Sequence, residues 1–175
     1  MTSLVVNMIA GPGSGKSSLA AGVFAALKFR GVQAELVTEY VKEKVWEEHW
    51  KVLEHQIYIF GKQLYRMARL VGKVDVIVTD CPLILQLYYS NDPLLHALVL
   101  QEHHKFSNVN YYIERIKPYV ESGRMQKEHE AKAIDKVLKQ ILKEHKVPFT
   151  NLLGQESSID IIASDVIWHL KKLAR

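Results

Sequence analysis

Between Ala10 and Ser17 the chain reads Ala10, Gly11, Pro12, Gly13, Ser14, Gly15, Lys16, Ser17, a spacing suited to holding phosphate. Glycines at alternate positions allow backbone angles closed to other residues and let main-chain amides approach an anion. Lysine followed by serine puts a cation within reach of β and γ phosphates and a hydroxyl within reach of magnesium. The string is a relaxed phosphate loop, with Ala10 where the strict pattern G-x-x-x-x-G-K-[ST] has glycine. We therefore expect Gly11, Pro12, Gly13, Ser14, Gly15, Lys16, Ser17 and Ser18 to bind a nucleoside triphosphate such as ATP. Ser17 is expected on its Mg2+ ion.

Two carboxylates have positions that suit proton or metal chemistry. Asp80 ends the apolar run Val76, Ile77, Val78, Thr79, so it is expected at the carboxyl edge of a sheet, where ligands collect in open α/β folds. It suits magnesium binding or acceptance of a proton from an attacking hydroxyl. Glu39 ends a second predicted strand and faces the same crevice, with Lys42 three residues on. The residues leave the choice of base between these two open, with Asp80 preferred. Further along, Arg115, Lys117, Arg124 and Lys127 surround Gly123. Cations there suit charge developing on a transferred phosphoryl group, and Arg124, beside the glycine, is the first choice.

The elements that must carry these groups follow from periodicity. Ser3 to Ile9 is a buried-strand run, and Lys16 to Arg30 a helix with Gly31 as its cap. Gln33 to Thr38 is a second strand. Tyr40 to Leu70 is helical, with a break expected at Gly61. Val74 to Thr79 forms a third strand, Pro93 to Lys105 a helix, and Val109 to Ile113 a fourth strand. A loop and a long amphipathic helix fill Arg115 to Lys146. Pro148 to Leu152 supplies a fifth strand and Ser157 to Leu173 a closing helix. Strands alternating with helices predict an α/β fold: a parallel sheet of about five strands flanked by helices, with a helical lid at residues 115–135.

Within Tyr40 to Arg69, Trp46, Trp50, Tyr58, Phe60 and Tyr65 offer stacking surfaces, though aromatics at helical spacing are usually core. Arg66 and Arg69 are within the same stretch and suit a phosphate. Eight histidines show no metal-ligand spacing; His103 and His104 are expected on a surface helix with no chemical role.

A chain of 175 residues, 48% hydrophobic and 24% charged, is expected to be one soluble domain spanning residues 1–175. No apolar run reaches the roughly 18 residues of a membrane span. The start of the chain lacks a basic segment followed by a cleavable apolar core, so a cytosolic location is expected. One cysteine, Cys81, excludes an internal disulfide and a cysteine-rich zinc site. The net charge of +4 agrees with phosphate-bearing ligands and permits a nucleic-acid partner.

Triphosphate binding serves switches, motors and kinases alike. The guanine-reading string Asn-Lys-x-Asp is absent. Cys81, not glutamate, follows Asp80, which argues against a hydrolytic motor. A kinase fold remains. Its marks are the phosphate loop, the segment Thr38-Glu39-Tyr40-Val41-Lys42-Glu43, the segment Thr79-Asp80-Cys81-Pro82-Leu83, and the stretch Gly123-Arg124-Met125-Gln126-Lys127-Glu128. Together these resemble the P-loop kinases related to the ribosylnicotinamide kinase domain, especially small bacteriophage members. The resemblance implies ATP and Mg2+ as cofactors, an acceptor pocket served by Glu39 and Lys42, Asp80 on magnesium or the acceptor hydroxyl, and Arg124 as a lid arginine. It also implies a nucleotide-type acceptor: 5-hydroxymethyluracil in DNA first, a free nucleoside or nucleoside monophosphate second. Cys81 stands where the phage pattern has serine.

Overall fold

The computed structural model describes residues 3–116, 118–120 and 127–173. Five strands form one parallel sheet: β1 (Leu4–Ile9), β2 (Ala34–Val37), β3 (Val76–Thr79), β4 (Ser107–Glu114) and β5 (Thr150–Leu153), in the order β2-β3-β1-β4-β5. Strand β1 is buried along its whole length, as expected of a central strand covered on both faces. Leu4 pairs with Val76 of β3 on one side and with Ser107 of β4 on the other.

The alternation of side chains along β1 sends each half of its apolar run to a different layer. Leu4, Val6 and Met8 pack with Leu19, Val23 and Leu27 of α1 (Lys16–Phe29) and with Ile162 and Val166 of α7 (Ser158–Leu173). Val5 and Ile9 face the other layer. There they meet Phe60 and Met67 of α3 (Gln56–Ala68), Leu95 and Val99 of α5 (Pro93–Lys105), and Ile134, Leu138 and Leu142 of α6 (Glu128–Glu144). The fold is therefore a three-layer α/β sandwich.

Local chemistry sets the helix ends. Asp92 caps α5, its side chain accepting from the Leu94 amide at 2.8 Å, with Pro93 in the first turn. Gly31 closes α1 at φ 80, and the Val32 amide donates back to Leu27 O at 3.0 Å.

Three expectations are corrected. Gly61 does not break the helical stretch: α3 runs through it, because a β-carbon at Gly61 would meet only open space and the residue simply sits on an exposed face. The interruption falls earlier, between α2 (Tyr40–Trp46) and a 3-10 turn at Trp50–Glu54, where Glu48 adopts φ 56. His103 is buried rather than on the surface, because Leu95, Val99 and His103 share the inward face of α5. Burial and neighbouring His104 push its pKa down to about 4, so it is neutral near pH 7. Finally, Trp46, Trp50, Tyr58 and Tyr65 are exposed, and of the five aromatics only Phe60 is core. The segment after β3, for which the sequence predicts no element, winds into a 3-10 turn at Leu83–Leu85 and α4 (Gln86–Tyr89). Among the described residues, no helix is long and apolar enough to cross a membrane.

One buried polar cluster ties the central strands together. The Asn7 side-chain amide donates to Asn108 Oδ1 at 2.8 Å and to Asn110 Oδ1 at 2.9 Å. Asn7→Ala removes both bonds and strands one buried acceptor, at Asn110, and one half-buried, at Asn108, so it should destabilise the fold by about 1–3 kcal/mol. Urea unfolding measures this; a midpoint equal to that of the parent would show that the cluster contributes nothing.

Candidate functional site

The phosphate loop leaves the carboxyl end of β1 and enters α1 directly, with Lys16 as the first helical residue. Gly13 and Gly15 hold φ 74 and φ 96, which glycine alone adopts readily. This is the requirement that the glycine spacing predicted. The loop amides and the positive end of the α1 dipole thus converge on one point.

A loop so poor in side chains is held from outside. The Gly11 amide donates to Asp135 Oδ1 of α6 at 2.7 Å. Gly154, after β5, packs so closely on Ser14 O that a β-carbon there would collide with it. The Gly154 amide donates to Glu114 O at 2.9 Å. The ring of Tyr119 lies on the other side, where a β-carbon at Gly13 would come within 2.7 Å of it.

A cavity of about 460 Å³ opens from the loop toward α2, α3 and α4. Pro12, Gly13, Gly15, Lys16, Ser17 and Ser18 form one end. Its walls are apolar, from Val41, Val45 and Trp46 to Leu53, Ile59, Phe60, Leu83 and Leu85. Its polar groups are few: Glu39, Lys42, Gln56, Gln63 and Gln86, with Tyr89 at the edge. A concave, mostly apolar site with few polar groups is the usual form of a small-molecule pocket.

Glu39 and Asp80 come together as their strand positions require, since Val37 pairs with Thr79. They are not equivalent. Glu39 lines the cavity. Asp80 is buried and absent from the lining; its Oδ1 accepts the Glu39 amide at 3.1 Å. Burial raises the Glu39 pKa above the usual carboxylate range. Lys16 opposes that shift, Asp80 adds to it, and Lys42 lowers it. Lys16 and Asp80 are therefore both in electrostatic reach of Glu39. Cys81 also faces the cavity, and its thiol is raised well above its ordinary range, first by burial and then by Glu39 and Asp80.

The remaining predicted groups divide. Ser14 is buried, and its Oγ has no partner among the described residues. Arg66 is engaged by Glu43 at 2.7 Å and by Thr38 O, and Arg69 leans on Arg66 O. Arg115 stands beside the loop, bound to Asp135. Lys127 caps α6 from the residue before it, its amide donating to Glu130 Oε2 at 2.6 Å. Arg124, Lys117 and Gly123 lie outside the described residues.

The sequence reading missed the glutamines. Gln63 is buried; its Oε1 accepts the Tyr40 amide at 3.2 Å and its Nε2 donates to Thr38 O. Gln86 is also buried and donates to Gln56 Oε1. The signal for two of them lay in the pattern, since Gln56 and Gln63 are seven residues apart on one face of α3, beside Ile59 and Phe60. Among the described residues, no group of three or more His, Cys, Asp or Glu is arranged to hold a metal by itself. A hydroxyl at Ser17 and a carboxylate at Asp80 are nevertheless the hard oxygen donors that suit Mg2+ when phosphate oxygens complete its shell.

Residues 5–157 match the sequence profile of an AAA domain family, and the chain belongs to that family. No curated protein is a significant match. Among solved structures the chain is similar to a deoxyadenosine kinase from M. mycoides, described with its products dCMP and a flexible dCDP bound. The similarity covers 97% of this chain and 98% of that one, with a TM-score of 0.51 and 15% identity. At that identity the likeness speaks for the fold, a P-loop NTPase sandwich.

Gly154→Ala tests the outside support of the loop. The added carbon must displace either the β5–α7 turn or Ser14 O. We expect at least a tenfold loss of affinity for a non-hydrolysable ATP analogue by titration calorimetry, with the far-UV circular dichroism of the parent retained. Unchanged affinity would show that the turn does not hold the loop.

Proposed function

We propose that this chain transfers the γ-phosphoryl group of ATP to a hydroxyl of one nucleoside-sized acceptor seated in the cavity. The observation that carries the reading is the continuity of that cavity. A single space of about 460 Å³ has the phosphate loop at one end and a carboxylate, three glutamines and apolar walls at the other. A hydrolase needs only water beside its γ-phosphate, whereas a transferase needs a walled place for a second substrate.

In this reading the amides of Gly13 to Ser18 and the ammonium of Lys16 hold the β and γ phosphates. Ser17 and Asp80 would hold Mg2+, which when bound supplies positive charge to the phosphate oxygens. Glu39 is the base. As the acceptor oxygen bonds to the γ phosphorus, the bond from that phosphorus to the β–γ bridging oxygen breaks. The hydroxyl proton passes to the Glu39 carboxylate, and ADP leaves. Glu39 is preferred to Asp80 because it lines the cavity, while Asp80 already accepts the Glu39 amide. The raised pKa of Glu39 makes it a stronger base than an ordinary carboxylate. Apolar walls exclude water from the reacting group.

The first acceptor class is a free nucleoside or nucleoside monophosphate, since the walls enclose about one such unit. The second is the hydroxymethyl group of 5-hydroxymethyldeoxyuridine in DNA. What favours it is the exposed Trp46, which lines the cavity with Lys42, and the exposed Trp50 and Tyr58, which line a neighbouring depression with Lys44 and Lys51. Exposed rings beside cations suit a single strand from which a base is turned inward.

Incubation with γ-labelled ATP and magnesium separates the readings, offering nucleosides, nucleoside monophosphates, ordinary DNA and 5-hydroxymethyluracil DNA. Label on small acceptors supports the first class and label only on hydroxymethyluracil DNA the second. No label on any acceptor would turn the reading toward a nucleotide-dependent regulatory protein. With a competent acceptor, kcat/KM should be level where Glu39 is ionised and fall as pH drops through its raised pKa, above the usual value of about 4.3. Glu39→Gln should cost about 10²–10⁴-fold in turnover and remove that acid limb. Near-normal turnover in Glu39→Gln, with collapse in Asp80→Asn, would move the base to Asp80.

A further inference from the structure

The two buried side-chain atoms without a hydrogen-bond partner among the described residues, Ser14 Oγ and Arg115 Nη1, both belong to the phosphate loop or its immediate wall. Arg115 follows β4 directly and its side chain is only 8% exposed. Its Nε and Nη2 donate to Asp135 Oδ2 at 3.2 and 2.9 Å. The other carboxylate oxygen of Asp135 accepts the Gly11 amide at 2.7 Å. One carboxylate thus grips the loop with one oxygen and the guanidinium with the other. The guanidinium also lies over the Tyr119 ring, 5.5 Å from its centre. The remaining nitrogen, Nη1, is turned to the loop: a β-carbon added at Gly13 would lie 3.1 Å from it.

A buried guanidinium with one fork satisfied and one donor unmatched is costly unless an anionic oxygen completes it. Beside a loop shaped for phosphate, the chemistry that fits is a phosphoryl oxygen. Arginine suits this role, because its planar fork can hold a carboxylate on one edge and a phosphate on another.

We infer that Arg115 is a ligand of the donor's phosphate chain, and that Asp135 is a positioning residue which fixes Arg115 and the loop's first glycine in one register. The inference rests on the loop being the triphosphate site. The sequence places Arg115 among four cations suited to a transferred phosphoryl group, with Arg124 the first choice; the geometry instead singles out Arg115, and for the donor's phosphates.

The test measures equilibrium binding of ATP, tripolyphosphate and adenosine to the full chain, with no acceptor present. Arg115→Met keeps the aliphatic stem and should lower affinity for ATP and for tripolyphosphate by about tenfold or more, leaving adenosine within twofold. Arg115→Lys keeps the charge without the fork and should fall between the parent and Arg115→Met. Asp135→Asn should cost several-fold for the same two ligands. The double variant Arg115→Met with Asp135→Asn should bind no more weakly than Arg115→Met alone, because the asparagine Oδ1 still accepts the Gly11 amide and only the contact with Arg115 is lost. Thermal unfolding identifies any variant that fails to fold, and Arg115→Lys then carries the test.

ATP affinity of Arg115→Met within twofold of the parent overturns the inference. So does a loss shared equally by adenosine, which would put Arg115 against the base. Additive losses in the double variant overturn the role of Asp135. Lys16→Ala serves as the control. If it also leaves ATP affinity intact, the triphosphate site itself fails; if it abolishes binding while Arg115→Met does not, only the present inference fails.

Discussion

A phosphate loop must present bare amides, and a segment built to do so has almost no side chains with which to hold its own shape. The rest of the site depends on how that constraint is met. Here the support comes from three directions: Asp135 of α6 takes the Gly11 amide, Gly154 presses on Ser14 O, and the Tyr119 ring covers Gly13. Within the chain itself, the Leu19 amide donates to Gly15 O at 3.0 Å and starts α1. Because the supports come from separate parts of the chain, the loop is ordered only when the whole sandwich is assembled. Binding strength and fold integrity are therefore linked at this point.

The same economy governs the carboxylates. Parallel pairing of β2 with β3 brings Glu39 and Asp80 to one sheet edge, where two negative charges repel. The arrangement tolerates this by giving them different work. Asp80 faces inward and accepts a backbone amide, while Glu39 is left toward the cavity with Lys16 and Lys42 as electrostatic partners. A pair of acids in unlike environments is the usual way to obtain one fixed charge and one group free to exchange a proton.

The parts of this design written in local sequence were legible there. The buried run of β1, the glycine pattern of the loop and the Gly31 terminus depend on residues a few positions apart, and each takes the form its spacing predicts. Distant pairings were not legible. Nothing near Gly11 indicates a partner 124 positions away, and nothing near Arg115 marks Asp135 as its counterpart. Gly61 misled because a glycine signals a break only where the chain must turn, and on an open helix face it need not. His103 misled because a histidine pair looks polar, whereas its place four residues beyond Val99 decides its burial. The exposed Trp46, Trp50 and Tyr65 misled in the opposite direction, since apolarity alone does not tell a core ring from one on a surface.

Under the proposed transfer, α2 and α3, short as they are, would define the geometry of the acceptor. Thr38 O receives both Gln63 Nε2 and Arg66 Nη1, and Gln63 Oε1 takes the Tyr40 amide. Arg66 then binds Glu43 at 2.7 Å and lies over the Tyr40 ring at 4.9 Å. These bonds fasten the cavity's walls to the residues immediately before and after Glu39. An acceptor resting on Phe60 or Ile59 is thereby referred to the same strand end as the carboxylate that would receive its proton. Proton transfer requires donor and acceptor within about 3 Å, and misplacement of even 1 Å is expensive. A wall and a carboxylate fixed to one strand end can move only together, so in the proposed reaction the distance between hydroxyl and carboxylate would be set by side-chain packing instead of by the mobility of a long loop.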